Sequence, residues 1–178
     1  MSTIASADKP RSRSGAHSQQ KAASEVGVEL ISSREFAGHE SLIGTWKMVS
    51  WIVEDLETGA KQDALGPDPF GMITYSADGR VMVLVLKRDR QTPADLVPTN
   101  EEKIALYDSM FAYAGTFTVD QEKVVHHIDM SWNQIWTGTH QIRFCDLRDG
   151  VLTYVGAPAK NPMTGRDCVH TVIFHRLQ

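Results

Sequence analysis

The chain has 178 residues and is 42% hydrophobic, enough for one domain that buries about 70% of the surface its unfolded form exposes. Its 18 Lys and Arg stand against 22 Asp and Glu, a net charge of -4, which argues against a general affinity for nucleic acid or anionic lipid. Two cysteines, Cys145 and Cys168, are too few for a disulfide scaffold and lack the paired spacing of zinc or redox sites.

From Met1 to Ser24 the chain is rich in Ser, Lys and Arg, holds a single acid, Asp8, and has no apolar run able to seed a core. It reads as the start of a flexible extension over residues 1–40, followed by one domain over 41–178. The segment lacks the apolar stretch of a secretory signal, although an Arg- and Ser-rich, acid-poor leader also suits a transit peptide. No window approaches the roughly 18 apolar residues of a membrane helix. A soluble, cytoplasmic protein is expected.

Glu25 to Phe36 has a mixed spacing that favours neither helix nor strand. From Leu42 to Val53 the residues turn β-branched and aromatic, the composition of a half-buried strand. Gly71–Tyr75 and Arg80–Lys87 flank Ser76-Ala77-Asp78-Gly79, where Asp-Gly supplies the positive φ of a tight reversal. After Pro93 and Pro98, Thr99 and Glu102 form a capping box ahead of Ile104, Tyr107, Met110, Phe111 and Ala114 at helical spacing. One helix is predicted over about 100–113. Strands resume at Gly115–Val119, Lys123–Ser131, Thr139–Leu147, Val151–Val155 and Val169–Arg176, with turn signals at Asp120-Gln121 and Arg148-Asp149-Gly150.

The fold class is therefore all-β. Eight antiparallel strands joined by short turns suit an up-and-down barrel, because closure removes exposed edges and eight strands leave room for one small ligand. A two-sheet sandwich has the same strand count and is the alternative.

Gly44-Thr45-Trp46 opening the first strand and Arg176 ending the last resemble the lipocalin arrangement, where the tryptophan caps the closed end and a basic residue lies over its ring. The stretches Leu42–Lys47, Asp68–Tyr75, Ala112–Gly115, Val125–Ser131 and Trp136–Phe144 resemble, in the same order, a family of single-domain lipocalin-like proteins. The resemblance covers about Leu42 to Arg176 and implies a calycin-type barrel. Some members are associated with secondary-metabolite pathways, but a fold does not settle a chemistry. Where the family tends to place an aliphatic-aromatic-proline run, this chain has Trp132-Asn133-Gln134-Ile135.

Alternate strand residues share a face. Lys123–Ser131 divides into Val124, His126, Ile128, Met130 and a polar set, Val125, His127, Asp129, Ser131; the next strand divides into His140, Ile142, Phe144 and Gln141, Arg143, Cys145. If the apolar sets face inward, His127, Asp129, Gln141 and Arg143 form a solvated ladder of pairs worth roughly 0.2–1 kcal/mol each. If the polar sets face inward, they converge beneath an apolar pocket. Catalytic roles would then fall to three residues: Asp129 orients His127 as a base, and Arg143 holds a carboxylate or enolate oxygen. Gln141 would hydrogen-bond a carbonyl.

Candidate ligand-binding residues are Tyr75, Phe111, Tyr113, Ser131, Trp132, Asn133, Trp136, Gln141 and Tyr154, the aromatics at the presumed mouth foremost. His126, His140, His170 and His175 share no ligand spacing, so no metal site is assigned, and no cofactor is expected. No GxSxG elbow, P-loop or GxGxxG occurs. The leading reading is a barrel that binds a small, largely apolar oxygenated molecule. The alternative is a cofactor-free isomerase, cyclase or dehydratase acting on a polyketide- or terpenoid-like substrate through His127, Asp129 and Arg143. A purely structural interaction module is the third. The expected partner is a small apolar organic ligand, with no nucleic acid and no membrane; a homodimer is left open.

Overall fold

The computed structural model describes residues 38–120, 123–161 and 164–177. A short helix, α1 (His39–Leu42), leads into β1 (Gly44–Asp55), β2 (Lys61–Asp63), β3 (Phe70–Tyr75) and β4 (Arg80–Leu86). Then come α2 (Asn100–Asp108), β5 (Met110–Asp120), β6 (Lys123–Ser131) and a 3-10 turn (Gln134–Trp136). β7 (His140–Arg148), β8 (Val151–Gly156), β9 (Ala159–Lys160) and β10 (Asp167–Arg176) complete the chain.

Eight of these strands run β1-β3-β4-β5-β6-β7-β8-β10 around a cylinder, and β10 pairs back onto β1 to close it. The sandwich alternative is thereby set aside. β2 and β9 are short additions along β1 and β10, which raise the strand count above the eight expected. Where the turn residues carry the geometry, the expectation holds: Gly79 has φ 81°, and Asp149 and Gly150 have φ 48° and 77°. The extension expected over residues 1–40 lies outside the described residues up to residue 37, as does the Glu25–Phe36 segment. So does Gln121 of the expected β5–β6 turn.

The helix is shorter than its apolar spacing predicts. The capping box forms as expected, with Thr99 Oγ1 accepting from the Glu102 amide at 3.2 Å and Glu102 Oε2 accepting from the Thr99 amide at 2.8 Å. α2 nevertheless ends at Asp108, because Met110 to Tyr113 pair with Leu86 to Val83 of β4 and continue as strand. No residue of α2 is buried. Packing against the barrel wall therefore outweighs a periodicity that has nothing to bury against.

One end of the barrel is sealed. Trp46 is fully buried, its indole N–H donates to the Leu42 carbonyl at 2.8 Å, and the Arg176 guanidinium lies 4.1 Å over its ring. Arg176 also donates to the carbonyls of Ile43, at 2.8 Å, and Ser41. Gly44 makes this possible: its φ is 130°, and a Cβ there would sit 3.0 Å from the Arg176 guanidinium. His39 stacks on Phe117 at 4.6 Å over the same end. The hairpin turns gather here, while the long connections gather at the opposite end. Among the described residues, no helix is long and apolar enough to cross a membrane.

Trp46→Ala should lower the free energy of unfolding by about 3–5 kcal/mol, the usual loss for a buried tryptophan. Guanidinium denaturation followed by far-UV circular dichroism measures it; an unchanged midpoint would mean that the Trp46 seal does not hold the barrel.

Candidate functional site

On β6 the inward residues are Val124, His126 and Ile128, all buried. A buried histidine must have its ring nitrogens engaged, and here tyrosines do it. The Tyr113 hydroxyl lies 2.5 Å from Nδ1 and the Tyr75 hydroxyl 2.7 Å from Nε2; Tyr75 in turn lies 2.6 Å from the Tyr154 hydroxyl. Three of the chain's four tyrosines thus converge on one imidazole inside the barrel. At its ends, the Arg143 guanidinium is within hydrogen-bonding reach of Tyr113, and Cys145 of Tyr154.

A guanidinium only donates, so toward the Tyr113 oxygen Arg143 is the donor. Burial, with the nearby Arg143 charge, holds His126 well below the ordinary histidine range, so the imidazole is neutral. Burial also pushes Tyr75 and Tyr154 well above the usual phenol range and Tyr113 up to about 12, and it raises the Cys145 thiol.

Arg143 itself is half-buried. Its other acceptors are the Ile142 carbonyl at 3.2 Å and the Gln141 side-chain oxygen at 3.3 Å, both neutral. No carboxylate pairs with it among the described residues. Nearby, the Trp51 indole N–H donates to His170 Nδ1 at 2.9 Å, and Cys168 Sγ lies 3.4 Å from Nε2. Burial and the Arg143 charge hold His170 down at about 4. Trp51, Trp132 and Trp136 surround Phe111 at centroid distances of 4.7, 5.0 and 5.1 Å, forming an aromatic wall. The Trp132 indole N–H is buried with no hydrogen-bond partner.

The sequence-predicted residues divide accordingly. Tyr75, Phe111, Tyr113, Tyr154, Gln141, Arg143, Trp132 and Trp136 lie in the interior or along this wall. His127 and Asp129 do not, and the cluster expected to unite them with Arg143 and Gln141 is corrected. Register decides it: His126 pairs with Gln141 and His127 with His140, so His127 occupies the face opposite Gln141. Outside, His127 contacts Thr118 Oγ1 at 2.9 Å and His140 Nδ1 at 3.0 Å, and Asp129 forms an exposed ion pair with Arg80 at 2.5 Å.

At Asp129 a bulge opposite Ala114 and Gly115 shifts the alternation, and Met130, expected with the inward set, is 58% exposed. Gly115 permits that bulge, since a Cβ there would meet the His127 carbonyl oxygen at 1.9 Å. Ser131 donates to the Ala112 carbonyl at 3.3 Å and Asn133 caps the 3-10 turn through the Ile135 amide at 3.2 Å, so both serve local backbone. Sequence reasoning named none of His126, His170, Cys145 and Trp51 as site residues, although His126 stood in the inward set of one reading and Cys145 in that of the other. The available signal was a histidine amid Val124 and Ile128 in a chain whose Tyr75, Tyr113 and Tyr154 share the inward parity.

A closed eight-stranded antiparallel barrel, sealed at one end by Trp46 and Arg176 and lined by aromatics around a few polar groups at the other, defines a calycin-type barrel, an architecture that commonly holds small ligands. The lipocalin-like domain family matches residues 43–177, and the chain belongs to that family. Among solved structures, a lipocalin-like protein from Bacteroides uniformis is similar at 12% identity, with a TM-score of 0.42 over 76% of this chain and 98% of that one. A search of the curated proteins finds no match.

His126 and His170 are neutral in the fold, whereas in the unfolded chain each takes a proton near pH 6.5. Their contribution is fully present above that value and falls as the pH drops toward 4, by about 1.4 kcal/mol per pH unit for each. Denaturation across that window should show a His170→Asn slope shallower than wild type by about that amount. Equal slopes would refute a neutral, buried His170.

Proposed function

We propose that the barrel binds a small, largely apolar molecule against Trp51, Phe111, Trp132 and Trp136 and holds its oxygenated end on Arg143. The observation that carries this is the half-buried Arg143 guanidinium, whose acceptors among the described residues are neutral. A charge moved out of water without a counterion is costly, and a ligand carboxylate or carbonyl oxygen would offset that cost. Apolar walls with a few placed polar groups suit such a ligand. The unpartnered Trp132 N–H offers a second donor beside the wall.

Binding is preferred over turnover because an isomerase, cyclase or dehydratase needs a base facing its substrate. His126 has both nitrogens engaged by tyrosines, His170 Nδ1 accepts from Trp51, and His127 faces outward.

Isothermal titration with 2-naphthoate should give saturable binding that Arg143→Met weakens by about 10- to 100-fold, the loss of a hydrogen bond to a charged group. His127→Asn and Asp129→Asn should leave the affinity unchanged. Wild-type affinity in Arg143→Met would sink the reading.

A further inference from the structure

The neutral partners of Arg143 restrict what it can meet. Its acceptors are the Ile142 carbonyl at 3.2 Å and the Gln141 side-chain oxygen at 3.3 Å, and Tyr113, His126, Tyr75 and Tyr154 beside it hydrogen-bond one another at 2.5, 2.7 and 2.6 Å. The polar groups within electrostatic reach of Arg143 include Tyr113 from β5, His126 from β6, Gln141 from its own strand, Tyr75 from β3 and His170 from β10. None of them is a carboxylate. The site offers N–H donors and one positive charge on a half-buried side chain, where reduced solvation strengthens the field of that charge.

We infer that this site, on the binding reading above, takes weakly acidic enols and phenols as their oxyanions, the O–H bond breaking on binding and the proton passing to bulk water. An ether or alcohol of the same skeleton brings no such charge. The probe is 4-nitrophenol, whose phenolate absorbs visible light and whose phenol does not, with 4-nitroanisole as its uncharged match.

Added wild-type protein should make the phenolate band grow in buffer below the dye's own midpoint, and the bound dye should ionise about one pH unit or more lower, about tenfold in the equilibrium. Arg143→Met should abolish the shift, and Arg143→Lys, which keeps the charge and loses the planar fork, should retain part of it. Circular dichroism confirms that both variants fold. If bound 4-nitrophenol ionises at its solution midpoint, if Arg143→Met keeps the shift, or if 4-nitroanisole binds as tightly, the inference is overturned while the binding reading stands. If neither dye nor 2-naphthoate binds wild-type protein, both are overturned.

Discussion

The pairing of β10 back onto β1 is the constraint from which the rest of the structure follows. It runs from Trp46 opposite Arg176 to Asp55 opposite Cys168. Closure leaves the eight barrel strands no free edge, and it divides every residue of the wall into those that face the lumen and those that face water. Trp46 is buried and its register partner Arg176 reaches over the ring because both stand at that seam, and Gly44 supplies the left-handed backbone the approach needs. The seal and the parity of the strands are consequences of one pairing.

Within that enclosure polar groups are expensive unless each finds a partner. Tyr75, Tyr113, Tyr154 and His126 are each buried, yet each bonds another member, so the network is internally satisfied. Neutrality of His126 is a consequence of the same enclosure.

Much of the fold was legible because its signals are local. The Gly44-Thr45-Trp46 start, the Asp78-Gly79 and Asp149-Gly150 reversals and the Thr99–Glu102 capping box each act within a few residues, and each forms. The site was half legible. Gln141 and Arg143, grouped by alternation along β7, lie on the same face as the tyrosine-bonded His126, whereas His127 and Asp129, set beside them on polarity, do not. Polarity misleads in this barrel because both faces mix: Met72, Met82 and Leu84 are exposed on the outside, and His126 is buried inside. What separates His126 from His127 is the register of β6 against β7, a long-range pairing that alternation within one strand does not encode. The bulge at Asp129 compounds this by changing the parity partway along β6.

The two arginines at opposite ends show how the same side chain meets two different sets of neutral acceptors. Among the described residues neither has a carboxylate partner. Arg176 is held by the Ile43 and Ser41 carbonyls and by the face of Trp46, acceptors that belong to the chain's own backbone and core and leave it fixed. Arg143 rests on the Gln141 side chain and the Ile142 carbonyl, with Tyr113 beside it. A guanidinium carries five N–H donors in a planar fork, more than those acceptors occupy. One end is thus closed by a guanidinium whose acceptors are built into the fold, while at the other a half-buried guanidinium meets only neutral acceptors among the described residues.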